Sequence, residues 1–277
     1  MATPPIAPLM ISGDREKHLK KAYQLTTDSI ILNLEDGVGD KELAKENIKN
    51  FLLSRECSKK TIVRVNALDD GGDSEIEEFS RLPLNAIRVP KIRTSSDVKR
   101  ALELIGDSEV ELHLSIETKE AWLNLKELKV SEKVTAFYLG ILDLFADLSL
   151  SQELIKPDNP TVQYILSRFL VTSKALDVTP VSFVYQDYQD METFKEWLHL
   201  EKSMGYRSKG ALSPTQADTI IGAFGYSDET LKRARYIVKV FEESSLNGVK
   251  GFSDEKYGFI DEPIYKGAKA LLGDNNV

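Results

Sequence analysis

The chain has 277 residues, of which 42% are hydrophobic and 29% charged, and its formal net charge at pH 7 is −8. This length suits one large domain with a short appendage, and the composition is that of a soluble globular protein. The acidic balance and the even scatter of Lys and Arg along the chain argue against nucleic acid and anionic membranes as partners.

Eight short apolar runs alternate with stretches that suit helices. The runs cover residues 8–12, 29–35, 61–66, 86–91, 110–117, 135–141, 179–185 and 208–213. The stretches between them include predicted helices at 15–25, 41–54 and 162–176. Eightfold alternation of strand and helix predicts an α/β fold, a closed parallel (β/α)8 TIM barrel, whose active sites lie at the carboxyl ends of the strands.

The barrel is predicted to occupy residues 1–224, and residues 225–277 are predicted to form a C-terminal helical segment. Ser213 is interpreted as the cap of a helix that begins at Pro214. Further helices are expected at 227–243 and 264–272, with a polar loop at 244–251 between them. This segment could pack on a neighbouring subunit.

Two carboxylates follow neighbouring strands of the predicted barrel. Glu117 ends the fifth run and Asp143 follows the sixth. Adjacent strands lie about 4.8 Å apart, so the two side chains can converge on one cation. Two carboxylates, waters and substrate oxygens are ligands that Mg²⁺ prefers. The alternative is that each carboxylate forms an ion pair with a neighbouring Arg or Lys.

The ends of the second and third runs are also charged. Glu35 and Asp36 can hold metal-bound water or fix a cationic neighbour, although Asp36 before Gly37 also fits a simple turn. Arg64 is flanked by valines, which indicates that it is buried. Two-point recognition of a substrate carboxylate would justify that burial, and a structural pair with Glu35 or Glu117 is the alternative.

Three further positions are candidate substrate contacts. Lys91 could form a Schiff base, but an electrostatic role is favoured because two carboxylates are expected nearby. Gly13 and Gly140 would let a ligand approach the backbone, although lone glycines are weak signals. An anionic substrate would find local positive charge on Arg64, Arg88 and Lys91.

Histidine and cysteine usage excludes several kinds of site. His18 and His199 fall in predicted helices and His113 in the middle of a strand, so a histidine triad or a histidine-rich zinc site is disfavoured. Cys57 is the single cysteine, which excludes an internal disulfide and a cysteine metal cluster. Residues 1–8 do not resemble a signal peptide, and no apolar run approaches a membrane span. The expected location is the cytoplasm.

These residues occur in order within a set of motifs that resembles the citrate lyase beta-subunit-like family, which includes malyl-CoA and citramalyl-CoA lyases. The motifs are Ser12-Gly13, Leu34-Glu35-Asp36-Gly37-Val38, Arg64-Val65-Asn66, Val89-Pro90-Lys91, Ile116-Glu117-Thr118, Gly140-x-x-Asp143-Leu144, Ala146-Asp147-Leu148, Gly205-Tyr206-x-x-Lys209-x-Ala211-Leu212-x-Pro214-x-Gln216 and Ile260-Asp261-x-Pro263. The resemblance covers nearly the whole chain.

The resemblance implies a magnesium-dependent barrel that cleaves or forms a carbon–carbon bond next to a thioester. It implies that Glu117 and Asp143 bind Mg²⁺, that Arg64 binds a carboxylate or carbonyl of the substrate, and that Asp261 moves the proton. The candidate catalytic residues are therefore Arg64, Asp261, Asp36 and Glu35. The candidate substrate-binding residues are Arg64, Gly13, Lys91 and Gly140.

The chain departs from the family pattern at several positions around these ligands. Ser12 replaces a proline, Asn33 and Leu142 replace acidic residues, Gly210 replaces a tryptophan and Ser213 replaces a histidine. The metal ligands that the resemblance implies are retained, while the surrounding pocket differs. We regard the chain as a divergent member.

The leading hypothesis is a magnesium-dependent lyase that cleaves a small 3-hydroxyacyl thioester of the citryl, malyl or citramalyl type through a metal-stabilised enolate. The alternatives are an aldolase for a free 2-oxo acid, a thioesterase on the same site, and a catalytically weak barrel that acts as a scaffold or regulatory subunit. Asp261 is far in sequence from the barrel, so a homo-oligomer (trimer or hexamer) with shared sites is expected. The simpler interpretation is that Asp261 caps a helix.

Overall fold

A computed structural model describes residues 7–54 and 58–273. Cys57 and residues 1–6 of the N-terminal segment lie outside this range. The chain divides into two compact units, with the boundary between Phe224 and Gly225. Each unit has its own apolar core.

The larger unit is built on a parallel sheet. Its described residues form seven strands in the order β1 to β7. They are β1 Leu9–Ser12, β2 Ser29–Asn33, β3 Lys60–Arg64, β4 Ala86–Val89, β5 Glu111–Ile116, β6 Val134–Leu139 and β7 Thr179–Val181. All seven coincide with predicted runs, but six of them end one to four residues earlier than predicted. The residues beyond each ladder form the loops of the strands' carboxyl ends.

The predicted eighth strand, at 208–213, is wrong as a strand. In the part of the chain that the structure describes, this segment makes two isolated parallel bridges, Ser182↔Lys209 and Leu9↔Ala211. It therefore lies between the two edges of the sheet without forming a ladder with either. The larger unit is close to a TIM barrel, but its sheet is not fully closed.

Local sequence explains why the eighth segment stays irregular. A Cβ atom at Gly210 would lie 2.6 Å from Cγ1 of Val184, so this close approach needs glycine, which is a poor strand residue. The helix that begins at Pro214 ends the extended segment a few residues later. The segment at 208–213 therefore has a low strand propensity and is too short to form a longer ladder.

A buried ion pair holds the eighth segment in place. Nζ of Lys209 lies 2.7 Å from Oε1 of Glu201 and donates a hydrogen bond of 2.8 Å to the carbonyl oxygen of Phe183. Oγ of Ser182 donates to the same Glu201 oxygen at 2.5 Å. Lys209 and Glu201 are fully buried. Removing one partner would leave an uncompensated buried charge, which is strongly destabilising.

The described residues of the larger unit form nine α-helices. These are α1 Glu16–Leu19, α2 Lys41–Ser54, α3 Gly72–Phe79, α4 Ser95–Ile105, α5 Lys119–Leu123, α6 Ile141–Asp147, α7 Pro160–Ala175, α8 Met191–Met204 and α9 Pro214–Phe224. The helix predicted over 15–25 is broken, because α1 is followed by a separate 3-10 turn, Ala22–Gln24.

The alternation of side chains along the strands positions the polar residues. Inside the sheet lies a small apolar cluster that includes Ile62 and Ala86. Successive side chains of a strand point to opposite faces, so Arg64 and Arg88, two residues further along β3 and β4, point to the same interior face. Tyr138 of β6 also belongs to this interior cluster. The carboxyl end of the sheet thus carries two inward-pointing arginines.

The smaller unit contains a feature that the predicted helical segment lacked. Its described residues form α10 Asp228–Leu246, the strands β8 Gly251–Asp254 and β9 Gly258–Asp261, and α11 Glu262–Gly273. The two strands pair as an antiparallel hairpin. Gly258 has a left-handed φ of 75°, and the Asp254 side chain accepts backbone N–H groups of the turn. Among the described residues, no helix is long and apolar enough to span a membrane.

A polar cluster closes the amino-terminal end of the sheet, opposite the two arginines. Glu111 accepts hydrogen bonds from Nζ of Lys60 at 2.9 Å and Oγ1 of Thr135 at 2.7 Å, and its Oε2 lies 3.3 Å from Nε2 of His113. Burial by itself raises the pKa of Glu111, but these three partners outweigh it and bring the pKa down to about 2.

We expect Glu111→Gln to lower the free energy of unfolding at pH 7 by about 1–3 kcal/mol. The folded-state pKa lies below the ordinary value of 4.5, so the charged carboxylate stabilises the fold above pH 4.5. That contribution is lost as the pH falls toward 2. Urea denaturation at pH 7 and near pH 2.5 measures it. An equal deficit at both pH values would contradict this assignment.

Candidate active site

A cavity of about 780 Å³ opens at the carboxyl ends of the strands, within the larger unit. Five of the polar side chains that line it come from five different segments of the chain. They are Arg64, Arg88, Glu117, Tyr138 and Asp143. Ligand sites of parallel barrels lie at this end of the sheet, so this cavity is the candidate active site.

A buried ion pair fixes the first arginine. Nη2 of Arg64 lies 2.5 Å from Oε2 of Glu35, and both side chains are nearly inaccessible. Glu35 Oε1 lies 3.2 Å from Nζ of Lys91, which is half-exposed and is also 3.8 Å from Asp36. Glu35 thus meets two cations from the following strands. It holds Arg64 in a defined orientation, which leaves Glu35 a positioning role.

Lys91 does not have the character of a Schiff-base lysine. Burial by itself lowers the pKa of Lys91, but the hydrogen bond and charge of Glu35 outweigh it, so the pKa is raised. A Schiff-base lysine needs a neutral amine and a lowered pKa. The electrostatic role expected for Lys91 is consistent with this environment.

The backbone of Lys91 helps to hold Glu117. Lys91 has a left-handed φ of 53°, which is unusual for a residue with a side chain. In this conformation its N–H donates a hydrogen bond of 2.7 Å to Oε1 of Glu117. The strained backbone after β4 therefore places a donor on the carboxylate that ends β5.

Gly140 makes room for the same carboxylate. A Cβ atom at Gly140 would lie 2.5 Å from Oε2 of Glu117 and 2.6 Å from its Cβ, so any side chain there would displace Glu117. Burial raises the pKa of Glu117, while the charges of Arg64 and Arg88 act in the opposite direction. Glu117 is thus a buried carboxylate held beside two cations.

Asp143 reaches the cavity from a different element than expected. It lies in the first turn of α6, where it is exposed, and not at the end of β6. Glu117 and Asp143 line the same cavity, and their charges interact. Among the described residues, no group of three or more His, Cys, Asp or Glu side chains is arranged to hold a metal ion. A hard cation at these two carboxylates would complete its coordination with water or substrate oxygens.

The other predicted site residues are distributed around this centre. Asp36 lines the cavity with an exposed carboxylate, and Gly140 lies in the wall. Gly13 is not among the lining residues: a Cβ atom there would meet Ile48 at 2.7 Å and Ala44 at 2.9 Å. The absence of a side chain at Gly13 therefore serves the packing of α2 against the sheet.

Two further strand-end residues have structural partners. Asn66 forms hydrogen bonds with both oxygens of Glu75 at 2.8 Å and accepts one from Lys41 at 2.6 Å. Ser213 lines the cavity, and its Oγ accepts the N–H of Gln216 at 3.2 Å, as expected for a helix cap.

Sequence reasoning missed part of the lining. In the sequence, Arg88 stands out only as a source of positive charge, although its two-residue offset from Ala86 is the spacing of an inward-pointing side chain, as at Arg64. Tyr138 was treated as part of an apolar run, and His18 reaches the cavity from the helix α1. No local pattern distinguishes His18 from an ordinary exposed helical residue.

Comparison with known proteins gives the affiliation of the chain. A family profile described as HpcH/HpaI aldolase/citrate lyase matches residues 8–214, which spans the whole cavity lining. The chain belongs to the HpcH/HpaI aldolase/citrate lyase family.

Curated relatives in this family carry several activities in their names. The chain is 29% identical over 244 residues to a (3S)-malyl-CoA thioesterase of Cereibacter sphaeroides, covering 87% of this chain and 84% of the relative. It is 24% identical to the mitochondrial citramalyl-CoA lyase of Rattus norvegicus, covering 96% and 84%. It is 22% identical to the citrate lyase subunit beta of Leuconostoc mesenteroides, covering 95% and 91%.

Solved structures share the fold. A citrate lyase from Burkholderia xenovorans superposes with a TM-score of 0.85 at 20% identity, covering 98% of this chain and 91% of that one. The CitE protein of Mycobacterium tuberculosis, solved with magnesium, acetoacetate and coenzyme A, superposes with a TM-score of 0.78 at 22% identity, covering 100% and 99%.

The geometry predicts that removing a buried carboxylate, Glu35, lowers the free energy of unfolding much more than removing an exposed one, Glu16. Glu35→Gln should lower the free energy of unfolding by about 3 kcal/mol, because the buried Arg64 guanidinium loses its counter-charge. Glu16→Gln, which removes an exposed pair with Lys20, should cost less than about 0.5 kcal/mol. Urea denaturation of both variants compares them. Similar small losses would mean that Glu35 does not stabilise Arg64.

Proposed function

We propose that this protein is a magnesium-dependent carbon–carbon lyase acting on a small 3-hydroxyacyl thioester of the citryl, malyl or citramalyl type. The observation that carries the proposal is the grouping of Glu117, Asp143, Arg64 and Arg88 around one cavity. The carboxylates suit a hard cation, and the guanidinium groups suit an anionic substrate. The family membership and the names of the relatives support this chemistry.

Glu117 and Asp143 would hold the Mg²⁺ ion. The Lys91 N–H group and the space at Gly140 keep the Glu117 carboxylate in place, and the exposed Asp143 side chain can adjust to the ion. When bound, Mg²⁺ would supply Lewis-acid stabilisation of the negative charge that develops on substrate oxygen.

The residues of this chain would orient the substrate and move its protons. Arg64, oriented by Glu35, would bind a carboxylate or carbonyl oxygen of the oxo-acid half. Cleavage breaks the bond between C2 and C3 of the acyl chain as the 3-hydroxyl group loses its proton. The C2 carbon of the remaining thioester then gains a proton, which a nearby acid must deliver.

A thioesterase on the same site is the second candidate, because a malyl-CoA thioesterase is among the similar relatives. The products distinguish the two reactions. A lyase releases a 2-oxo acid and a shorter thioester, whereas a thioesterase releases a free thiol and a hydroxy acid. An aldolase for a free 2-oxo acid would need no thioester, and a scaffold would bind neither metal nor oxo acid.

We expect Glu117→Gln and Asp143→Asn to weaken Mg²⁺ binding at least tenfold and to reduce lyase activity by on the order of 100-fold, because each removes one of two hard ligands. Asp147→Asn, one turn further along α6, is the matched control. Isothermal titration with MgCl₂ measures binding, and oxo-acid release from citryl-CoA, malyl-CoA and citramalyl-CoA measures activity. Wild-type Mg²⁺ affinity in either site variant would refute the ligand assignment.

We also propose that Asp261 delivers the proton and that it acts across an interface in a cytoplasmic homo-oligomer, a trimer or hexamer. Asp261 ends β9, and its Oδ1 accepts the N–H of Ile264 at 3.2 Å, so it also caps α11. Because Asn caps helices as well as Asp does, Asp261→Asn removes the acid while keeping the cap.

Mixing two inactive variants tests this sharing. Asp261→Asn protein and Glu117→Ala protein should each be inactive, and subunit exchange between them should restore part of the activity. Exchange is followed separately with differently tagged subunits. If the subunits exchange but activity does not recover, the active site is not shared between subunits. If the Asp261→Asn protein is active by itself, Asp261 only caps α11.

A further inference from the structure

Arg88 is the second arginine in the cavity wall, and its surroundings differ from those of Arg64. The register of β3 and β4 pairs Arg64 with Arg88 directly, so the two guanidinium groups are carried side by side on neighbouring strands. Arg64 meets the Glu35 carboxylate at 2.5 Å. Among the described residues, no carboxylate oxygen lies within 4.0 Å of a guanidinium nitrogen of Arg88.

The direct contacts that fix the orientation of Arg88 are with neutral groups. Its Nε donates a hydrogen bond of 2.9 Å to Oγ of Ser115, and its Cζ lies 4.2 Å from the centre of the Tyr138 ring. The hydrogen bond to Ser115 is the one that Arg88 makes within the described chain. Its two Nη groups therefore keep their donors for a ligand in the cavity that Arg88 lines.

Burial makes the charge of Arg88 costly in this position. Arg88 is only 6% exposed. Burial and the neighbouring Arg64 charge lower the pKa of Arg88 to about 10, although the charges of Glu117 and Glu35 act in the opposite direction. Arg88 is therefore still protonated at neutral pH. No carboxylate of the described residues contacts the buried guanidinium group directly, so an anionic ligand within hydrogen-bond distance would lower the cost of burying its charge. A planar fork of two Nη groups matches a carboxylate.

We propose that Arg88 binds a second carboxylate of the substrate, so that the oxo-acid half is a 2-oxo dicarboxylate and not a monocarboxylate. This inference rests on the proposed function, in which Arg64 binds a carboxylate or carbonyl oxygen of the oxo-acid half and Glu117 and Asp143 would hold Mg²⁺. Arg88 then recognises the distal carboxylate, and it acts as a specificity-determining residue. Ser115 and Tyr138 are the positioning residues that keep its fork aimed at the ligand.

Binding of two matched oxo acids tests the proposal without relying on turnover. Freshly prepared oxaloacetate and pyruvate, which differ by the distal carboxylate, are titrated calorimetrically into the wild-type protein in the presence of Mg²⁺. The wild type should bind oxaloacetate on the order of 10-fold to 100-fold more tightly, the range expected for charge-assisted hydrogen bonds. Arg88→Met should reduce that ratio to less than about threefold. The control is Arg81→Met, which alters an exposed arginine outside the cavity and should keep the wild-type ratio.

A wild-type protein without preference for oxaloacetate, or an Arg88→Met protein that keeps the preference, would overturn the proposal. If Arg88→Met fails to fold, Arg88→Lys replaces it, because an ammonium group cannot make the two-point contact. An unchanged ratio in that variant would also overturn it. If the wild type cleaves no carbon–carbon bond, the proposed function is refuted. The ratio of oxaloacetate to pyruvate affinity still tests the role of Arg88, because it is measured by binding and not by turnover.

Discussion

The arrangement of the cavity depends on how the strands carry charge into the interior of the sheet. Each inward-pointing guanidinium group must be compensated, because a desolvated charge costs several kcal/mol. Glu35 compensates Arg64 from the neighbouring strand's end and also contacts Lys91, so one carboxylate ties together the ends of β2, β3 and β4. Rigid placement of the binding groups follows from this ion pair.

The second constraint is geometric and involves the backbone. Lys91 follows β4 and Gly140 follows β6, so the two residues reach Glu117 from the strands on either side of β5. Lys91 has a left-handed backbone conformation, and Gly140 has no side chain. One supplies a donor and the other supplies space, so the carboxylate is buried in a single orientation. Strain at Lys91 is the cost of that orientation, as is common where a site requires an exact side-chain position.

The sequence predicts the elements of the fold that depend on a local pattern of residues. It does not predict those that depend on tertiary contacts. Seven strands were predictable because each is a short apolar run between helical stretches. The segment around Gly210 has the same apolar character, but its contact with Val184 and the nearby start of α9 prevent a ladder. The hairpin of β8 and β9 is not predictable in this way, because each strand has only four residues and the pairing is visible only in the folded unit.

The candidate site residues also divide into those that a local sequence pattern predicts and those that only tertiary contacts reveal. Glu117 and Arg64 were predictable because a charged residue in or at the end of an apolar strand is conspicuous. Arg88 satisfies the same criterion, but its importance depends on a feature that only the folded structure reveals. Among the described residues, no carboxylate makes a direct contact with its guanidinium group. Arg64 has a direct carboxylate partner in Glu35, whereas Glu117 acts on Arg88 only through its charge, from beyond 4.0 Å. An anionic ligand at Arg88 would add the direct counter-charge that this guanidinium group lacks, so ligand binding would stabilise a buried charge of the sheet interior.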